Sequence, residues 1–136
     1  MQLAVGAHGK RSVLDKKLNR AFMSKIHSES KNYVGIKYHV KAQLPDNLIG
    51  LHLFKNGYCG ISKVEGNDRF CLCYLTLASN LKTSGDIEKM EEEILSKNDY
   101  LKEYLNYERY YERPLVISQI NFARKNPIED GVFMVG

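Results

Sequence analysis

The side chains with the most evident chemistry in this 136-residue chain are Cys59, Cys71 and Cys73, with His39 and His52 near them in sequence. Zinc would be their natural ligand, but structural zinc sites are built from closely spaced ligand pairs. Cys71-x-Cys73 has instead the period of a strand, and the five residues form no ligand set by spacing. They read as buried free cysteines acting as small hydrophobes, with no metal. No serine or cysteine stands in a nucleophile-elbow motif, and no triad order is evident. A second group is Tyr58-Cys59-Gly60-Ile61-Ser62. On a strand, alternation sets Tyr58, Gly60 and Ser62 on one face and Cys59, Ile61 and Lys63 on the other. The first set reads as cross-strand packing around a bulge or close-approach glycine. A third group is the glycine-punctuated turn Gly6-Ala7-His8-Gly9, followed by Lys10, Arg11 and Ser12. Ser12 reads as a helix N-cap, and Arg11 as a solvated residue.

The elements that would position these residues follow from periodicity. Residues 2–5 read as a strand. Leu14, Leu18, Ala21 and Phe22 form the stripe of a helix capped by Ser12 or Asp15. Tyr33–Lys41 alternates as a half-buried strand. Leu48–Phe54 and Tyr58–Val64 form a hairpin about Asn56-Gly57, and Phe70–Leu77 continues the meander. Ser84 is expected to cap a helix with Ile87, Met90, Ile94 and Leu95 on its apolar side. Asn98 or Asp99 starts another, with Leu101, Tyr104 and Leu105. The tyrosines around 100–111 read as packing and rim residues of a helical lid. Leu115–Phe122 and Val132–Val135 are the last strands. The class is α+β: a mainly antiparallel sheet meander with helices packed on one face.

Three segments, in this order, resemble the flavoprotein superfamily of para-hydroxybenzoate hydroxylase, in its branch of geranylgeranyl reductases and flavin-dependent halogenases. Gly6-Ala7-His8-Gly9-Lys10-Arg11-Ser12 resembles the second fingerprint, with His8 where the family has aspartate. Gly57-Tyr58-Cys59-Gly60-Ile61-Ser62 resembles the substrate-cavity motif, with Gly60 in place of a tryptophan and Ser62 in place of a phenylalanine. Asp130-Gly131-Val132-Phe133-Met134-Val135-Gly136 resembles the strand before the third fingerprint. The resemblance covers essentially the whole chain. It implies an excised middle segment of a two-domain flavoprotein, since both ends read as cut strands. Residues 1–26 and 127–136 would be edges of the FAD-binding domain, and 32–122 the substrate-binding sheet. It further implies an FAD-dependent dehydrogenase, reductase or monooxygenase. Tyr58, Gly60 and Ser62 would line the substrate pocket, and Gly6, Gly9, Arg11 and Gly136 would contact the cofactor in the parent. The early Gly-x-Gly-x-x-Gly fingerprint is absent from the sequence, so FAD is expected in the full-length parent and not on this segment, which alone is inactive.

Composition is that of a soluble globular domain: 43% apolar, 26% charged, net charge +4. Lys10, Arg11, Lys16, Lys17 and Arg20 read as a solvated face rather than a nucleic-acid footprint. An odd cysteine count without a secretory pattern points to the cytoplasm, and no apolar run reaches membrane length. The expected partner is an apolar or aromatic small molecule, with self-association through the cut strand edges. The alternative is a non-catalytic α+β domain that binds a ligand or another protein.

Overall fold

The structure is a computed structural model that describes residues 4–9, 13–22, 32–120, 122 and 125–135. Its contacts divide the chain into two units, 1–30 with 121–136, and 31–120.

The larger unit is α+β. Strands β2 (Tyr33–Lys41), β3 (Ile49–Phe54), β4 (Gly57–Lys63), β5 (Arg69–Leu77) and β6 (Leu115–Ile120) form one antiparallel sheet in the order β3-β4-β5-β2-β6. Only β3, β4 and β5 form the expected meander. Strand β2 leaves it and lies between β5 and β6. The reason is length and pattern. β2 and β5 each have nine residues and pair along their whole length, from Tyr33 opposite Leu77 to Lys41 opposite Arg69. In both, alternate residues are buried, which suits central strands.

One face of this sheet is covered by helices α2 (Ala78–Ser84), α3 (Ile87–Glu93) and α4 (Asp99–Leu105), with a short 3₁₀ turn at Leu95–Lys97. Val34, Ile36, Val40, Cys59, Ile61, Phe70 and Leu72 point into this layer, where Met90, Leu95 and Leu101 meet them. Asp86, not Ser84, caps α3, accepting a hydrogen bond from the Lys89 N–H. Ser84 instead ends α2, a helix the sequence reading left out, and its hydroxyl donates to Glu93. Asn98 caps α4 as expected, accepting from the N–H groups of Tyr100 and Leu101.

The layers are tied by one buried carboxylate. Glu91 is 4% exposed. Its Oε1 accepts hydrogen bonds from the hydroxyls of Tyr38 and Tyr74, both at 2.7 Å. Its Oε2 pairs with Arg109 Nη2 at 3.3 Å, and that guanidinium stacks 4.2 Å from the Tyr38 ring centre. Burial, together with the neighbouring carboxylate, pushes both tyrosine hydroxyls above their ordinary range, so they remain donors.

The β3–β4 hairpin departs from expectation in one respect. Phe54 pairs with Gly57, so the two-residue turn is Lys55-Asn56. Asn56 takes the left-handed conformation at φ 64°, which asparagine tolerates. Gly57 is the first strand residue, and its need is steric. A Cβ there would lie 2.3 Å from the Leu75 carbonyl oxygen and 2.4 Å from the Phe54 ring.

The smaller unit contains β1 (Ala4–Gly6), helix α1 (Val13–Lys17), β7 (Ile128–Glu129) and β8 (Val132–Met134), with strand order β1-β8-β7. β1 runs parallel to β8, and β7 antiparallel to it. In sequence, the whole larger unit is inserted between β1 and the β7–β8 hairpin.

Two stability effects follow, both measured by urea unfolding of the chain. Glu91→Ala leaves two tyrosine hydroxyls and a guanidinium without their acceptor, and should cost about 3 kcal/mol. Gly57→Ala should cost about 2 kcal/mol through its backbone clash. Gly60→Ala is the control, with a change of a few tenths at most, because a Cβ at Gly60 meets nothing nearer than 3.8 Å.

Candidate functional site: the open face of the sheet

The face of the larger sheet opposite the helices carries the residues singled out in β4. Pairing registers arrange it in three rows. Leu53, Tyr58, Leu75, Gly35 and Ile117 form the first, from β3 to β6. Leu51, Gly60, Cys73, Lys37 and Leu115 form the second, and Ile49, Ser62, Cys71 and His39 the third. Tyr58, Gly60 and Ser62 therefore share one face, each in a different row. The face grades from apolar to polar along the strands.

Much of this surface is apolar and exposed. Ile49, Leu51 and Leu53 are 81%, 67% and 75% exposed, and Leu115 is 64% exposed. Isolated exposed leucines are ordinary, but a contiguous apolar sheet face is a mark of a binding surface. A concavity of about 300 Å³ lies in it, lined by Gly35, Lys37, Tyr58, Cys73, Leu75, Leu115 and Ile117 among others. Tyr58 borders the concavity. Gly60 and Ser62 lie outside its lining, on the adjoining surface. The room above Gly60 is real, since no atom crowds its missing side chain.

The cysteines are not the uniform buried set that alternation suggested. Cys59 is buried under the helices, Cys71 is partly exposed and Cys73 is exposed. The reason is that an odd-numbered cysteine on β4 and the two on β5 face opposite sides of the sheet. Burial raises the Cys59 thiol to about 12. On the open face the two neighbouring thiols of β5 act on each other, Cys73 being lowered and Cys71 raised. Burial opposes the shift of Cys73, and the Lys37 charge favours it.

His39 and His52 do not meet. His39 lies on the open face, edge-on to Tyr111 at 5.8 Å. His52 lies on β3, which is separated from β2 by two strands, and packs against Tyr100 and Tyr104. No group of three metal-ligating side chains occurs among the described residues. Of the tyrosines near 100–111, Tyr104 is buried in the core while Tyr100 and Tyr111 are exposed.

In the smaller unit, Gly6, His8 and Gly9 lead from β1 toward α1. Lys10, Arg11, Ser12 and Gly136 lie outside the described residues, so the cofactor roles expected of Arg11 and Gly136 have no structural account. Gly6 is closely packed: a Cβ would meet Met134 Sδ at 3.0 Å and His8 Nδ1 at 3.1 Å. Gly9 has φ 67° and open space around it. The polar centre is an unexpected ion-pair cluster. Asp15, read as a possible cap, is instead inside α1 and 2% exposed. It accepts from Arg20 Nη1 at 2.9 Å and pairs with His8 Nε2 at 3.0 Å. Arg20, read as part of a solvated face, is 3% exposed. It also binds the Glu129 carboxylate and the Asn126 carbonyl. Val13 and Leu14 are exposed, so α1 turns its acid rather than an apolar stripe inward. Pattern reading missed this because a charge network leaves no periodic apolar signal. His8 Nδ1 is buried without a hydrogen-bond partner among the described residues.

No protein-family model matches the chain, and no curated protein matches it. No helix among the described residues is long and apolar enough to cross a membrane.

The Asp15 cluster sets an acid sensitivity. Burial pushes the Asp15 carboxyl up, but hydrogen bonds from Arg20 and His8 outweigh it, and the net shift is downward. The carboxylate's contribution is therefore complete above the unfolded value of about 3.9 and is lost as the pH falls through the lower folded value. Asp15→Asn should destabilise the smaller unit by about 2 kcal/mol near neutral pH. Hydrogen exchange of residues 4–9 and 128–135 should show the gap between variant and parent closing below about pH 4.

Proposed function

We propose that this chain is the substrate-binding part of an FAD-dependent oxidoreductase, of the dehydrogenase, reductase or monooxygenase type. Its open sheet face would cover the flavin and shape an apolar substrate pocket. The observation that carries the reading is the exposed apolar face, in which Tyr58 borders a concavity while Gly60 and Ser62 lie on the adjoining surface. A flat ring system needs a broad, mostly apolar wall with few polar groups, and the three rows have that composition.

The fit to the cofactor is partial. A dinucleotide needs a pyrophosphate cradle of backbone N–H groups at a helix N-terminus. The described residues contain none: α1 has five residues and turns a carboxylate inward. What they fit is the cover over the ring. In this reading Tyr58 packs against the substrate, Gly60 keeps the wall low between Leu51 and Cys73, and Ser62 offers a hydroxyl at the polar end. Gly6 and Gly9, with Arg11 and Gly136, belong to the cofactor side, where the parallel pairing of β1 with β8 brings two strand ends together. When bound, the flavin supplies the redox chemistry. The residues of this chain bind and orient the substrate and exclude water. FAD and the apolar small molecule are the ligands proposed, and the cytoplasm the compartment.

The test uses the protein as its gene encodes it. It should purify with a flavin absorption spectrum, whereas the 136-residue chain should take up no FAD. Gly60→Trp should preserve folding and flavin content and reduce turnover at least about tenfold, because an indole fills the space over the wall. A colourless protein that remains so after incubation with FAD overturns the assignment. Unchanged kinetics in Gly60→Trp remove Gly60 from the pocket.

A further inference from the structure

We propose that Cys73 is a nucleophilic thiol of the open face, placed to add to α,β-unsaturated carbonyl compounds that carry an apolar tail. The proposal stands on residues of the larger unit alone and does not require the flavin reading.

Four features of the structure meet at this residue. Cys73 is exposed, while Cys59 is sealed in the core. It lines the concavity whose other walls include Tyr58, Leu75, Leu115 and Ile117. Lys37 lies directly opposite it on β2, a position in which Cβ atoms are about 5 Å apart. Cys71, two residues earlier on the same strand, shares its face. The other neighbours are electrically quiet. Gly60 faces Cys73 from β4, and His39 lies one row away, opposite Cys71. The Cys71 thiol beside it and the Lys37 charge opposite it both favour the thiolate of Cys73. That is the environment of a reactive cysteine, and an inert one would be buried among apolar groups.

The step needs no oxidant. The Cys73 thiol gives its proton to solvent. Its sulfur lone pair forms a C–S bond to the β-carbon of the enone or enal. The π pair of the carbon–carbon double bond moves through the α-carbon to the carbonyl oxygen as an enolate. The α-carbon then takes a proton from water, so the net change is addition of S–H across the double bond. The Lys37 ammonium sits on the side where negative charge begins as thiolate and continues as enolate. The apolar tail lies along Leu75, Leu115 and Ile117.

The experiment treats the 136-residue chain with limiting trans-2-octenal, fixes adducts with borohydride and maps them by mass spectrometry over a pH series. Cys73 should react several-fold faster than Cys71 and faster than glutathione at about pH 6.5. The midpoint of its rate against pH should lie below the ordinary thiol value of about 8.5. Lys37→Met and Cys71→Ala should each move that midpoint upward with unchanged far-ultraviolet circular dichroism. Octenal should outpace acrolein at Cys73 relative to their ratio with glutathione. A midpoint at the ordinary thiol value, or one that neither substitution moves, overturns the proposal. Equal relative rates for octenal and acrolein remove the apolar-tail component.

Discussion

The β2–β5 ladder is the constraint on which the larger unit depends. Its nine pairs align the two strands without a shift, so their pleats coincide. Val34, Ile36, Tyr38 and Val40 share one face with Phe70, Leu72, Tyr74 and Thr76, and all are buried. Gly35, Lys37 and His39 share the other with Cys71, Cys73 and Leu75. A slip of one residue would exchange the faces, pointing Lys37 into the core and Ile36 out of it. Burial of the apolar set therefore holds the register, and the register in turn decides what stands beside what on the open face. The pairing of Lys37 with Cys73 is a consequence of packing on the far side of the sheet.

The two faces solve opposite problems. On the helix side a polar cluster is buried, and it is tolerable because its members satisfy one another. Tyr38 and Tyr74 converge on a single oxygen of Glu91, and Arg109 meets the other. Those tyrosines come from the two strands of the central ladder and Glu91 from α3. The cluster therefore specifies how the helix layer sits on the sheet, which apolar contacts alone specify less sharply. On the open side the imbalance is of the other kind. Leucines and isoleucines of β3 and β6 remain in contact with water and contribute little to the stability of the unit. Leu115 and Ile117 of β6 line the concavity, while Ile49, Leu51 and Leu53 of β3 lie outside it.

Much of this was legible in the residues, because the strands of the larger unit obey a period of two. Tyr33–Lys41 was found at its observed bounds, and the others within one or two residues. The coexistence of Tyr58, Gly60 and Ser62 on one face followed from the same period. What was illegible has physical causes. Strand order depends on which ladders bury most, so β2 could not be placed beside β5 from local pattern. The helix at Ala78–Ser84 carries only Leu81 as a large apolar residue, so it shows no apolar stripe in the sequence. The turn at Lys55-Asn56 was displaced by one because Asn-Gly is a strong hairpin signal wherever it stands. Here asparagine supplies the positive φ, and the glycine answers a close contact instead. The Asp15–Arg20–Glu129 cluster joins residues far apart in sequence, and such pairing has no local signature.

Two glycines of β4 show where structural explanation ends. Gly57 is required by its surroundings, with a carbonyl oxygen and an aromatic ring occupying the space a Cβ would need. Gly60, three residues on, has no such neighbours, and its backbone lies in regular antiparallel pairing with Leu51 and Cys73. Glycine in a strand interior is unfavourable, both for its entropy and for the side-chain packing it forgoes. Neither crowding nor conformation repays that cost at position 60. The missing side chain keeps the middle row low between Leu51 and Cys73. Under the proposed function, that low centre, with Tyr58 and Ser62 on either side of it along β4, is where a flat ligand would lie, and accommodating it is what would offset the cost of the glycine.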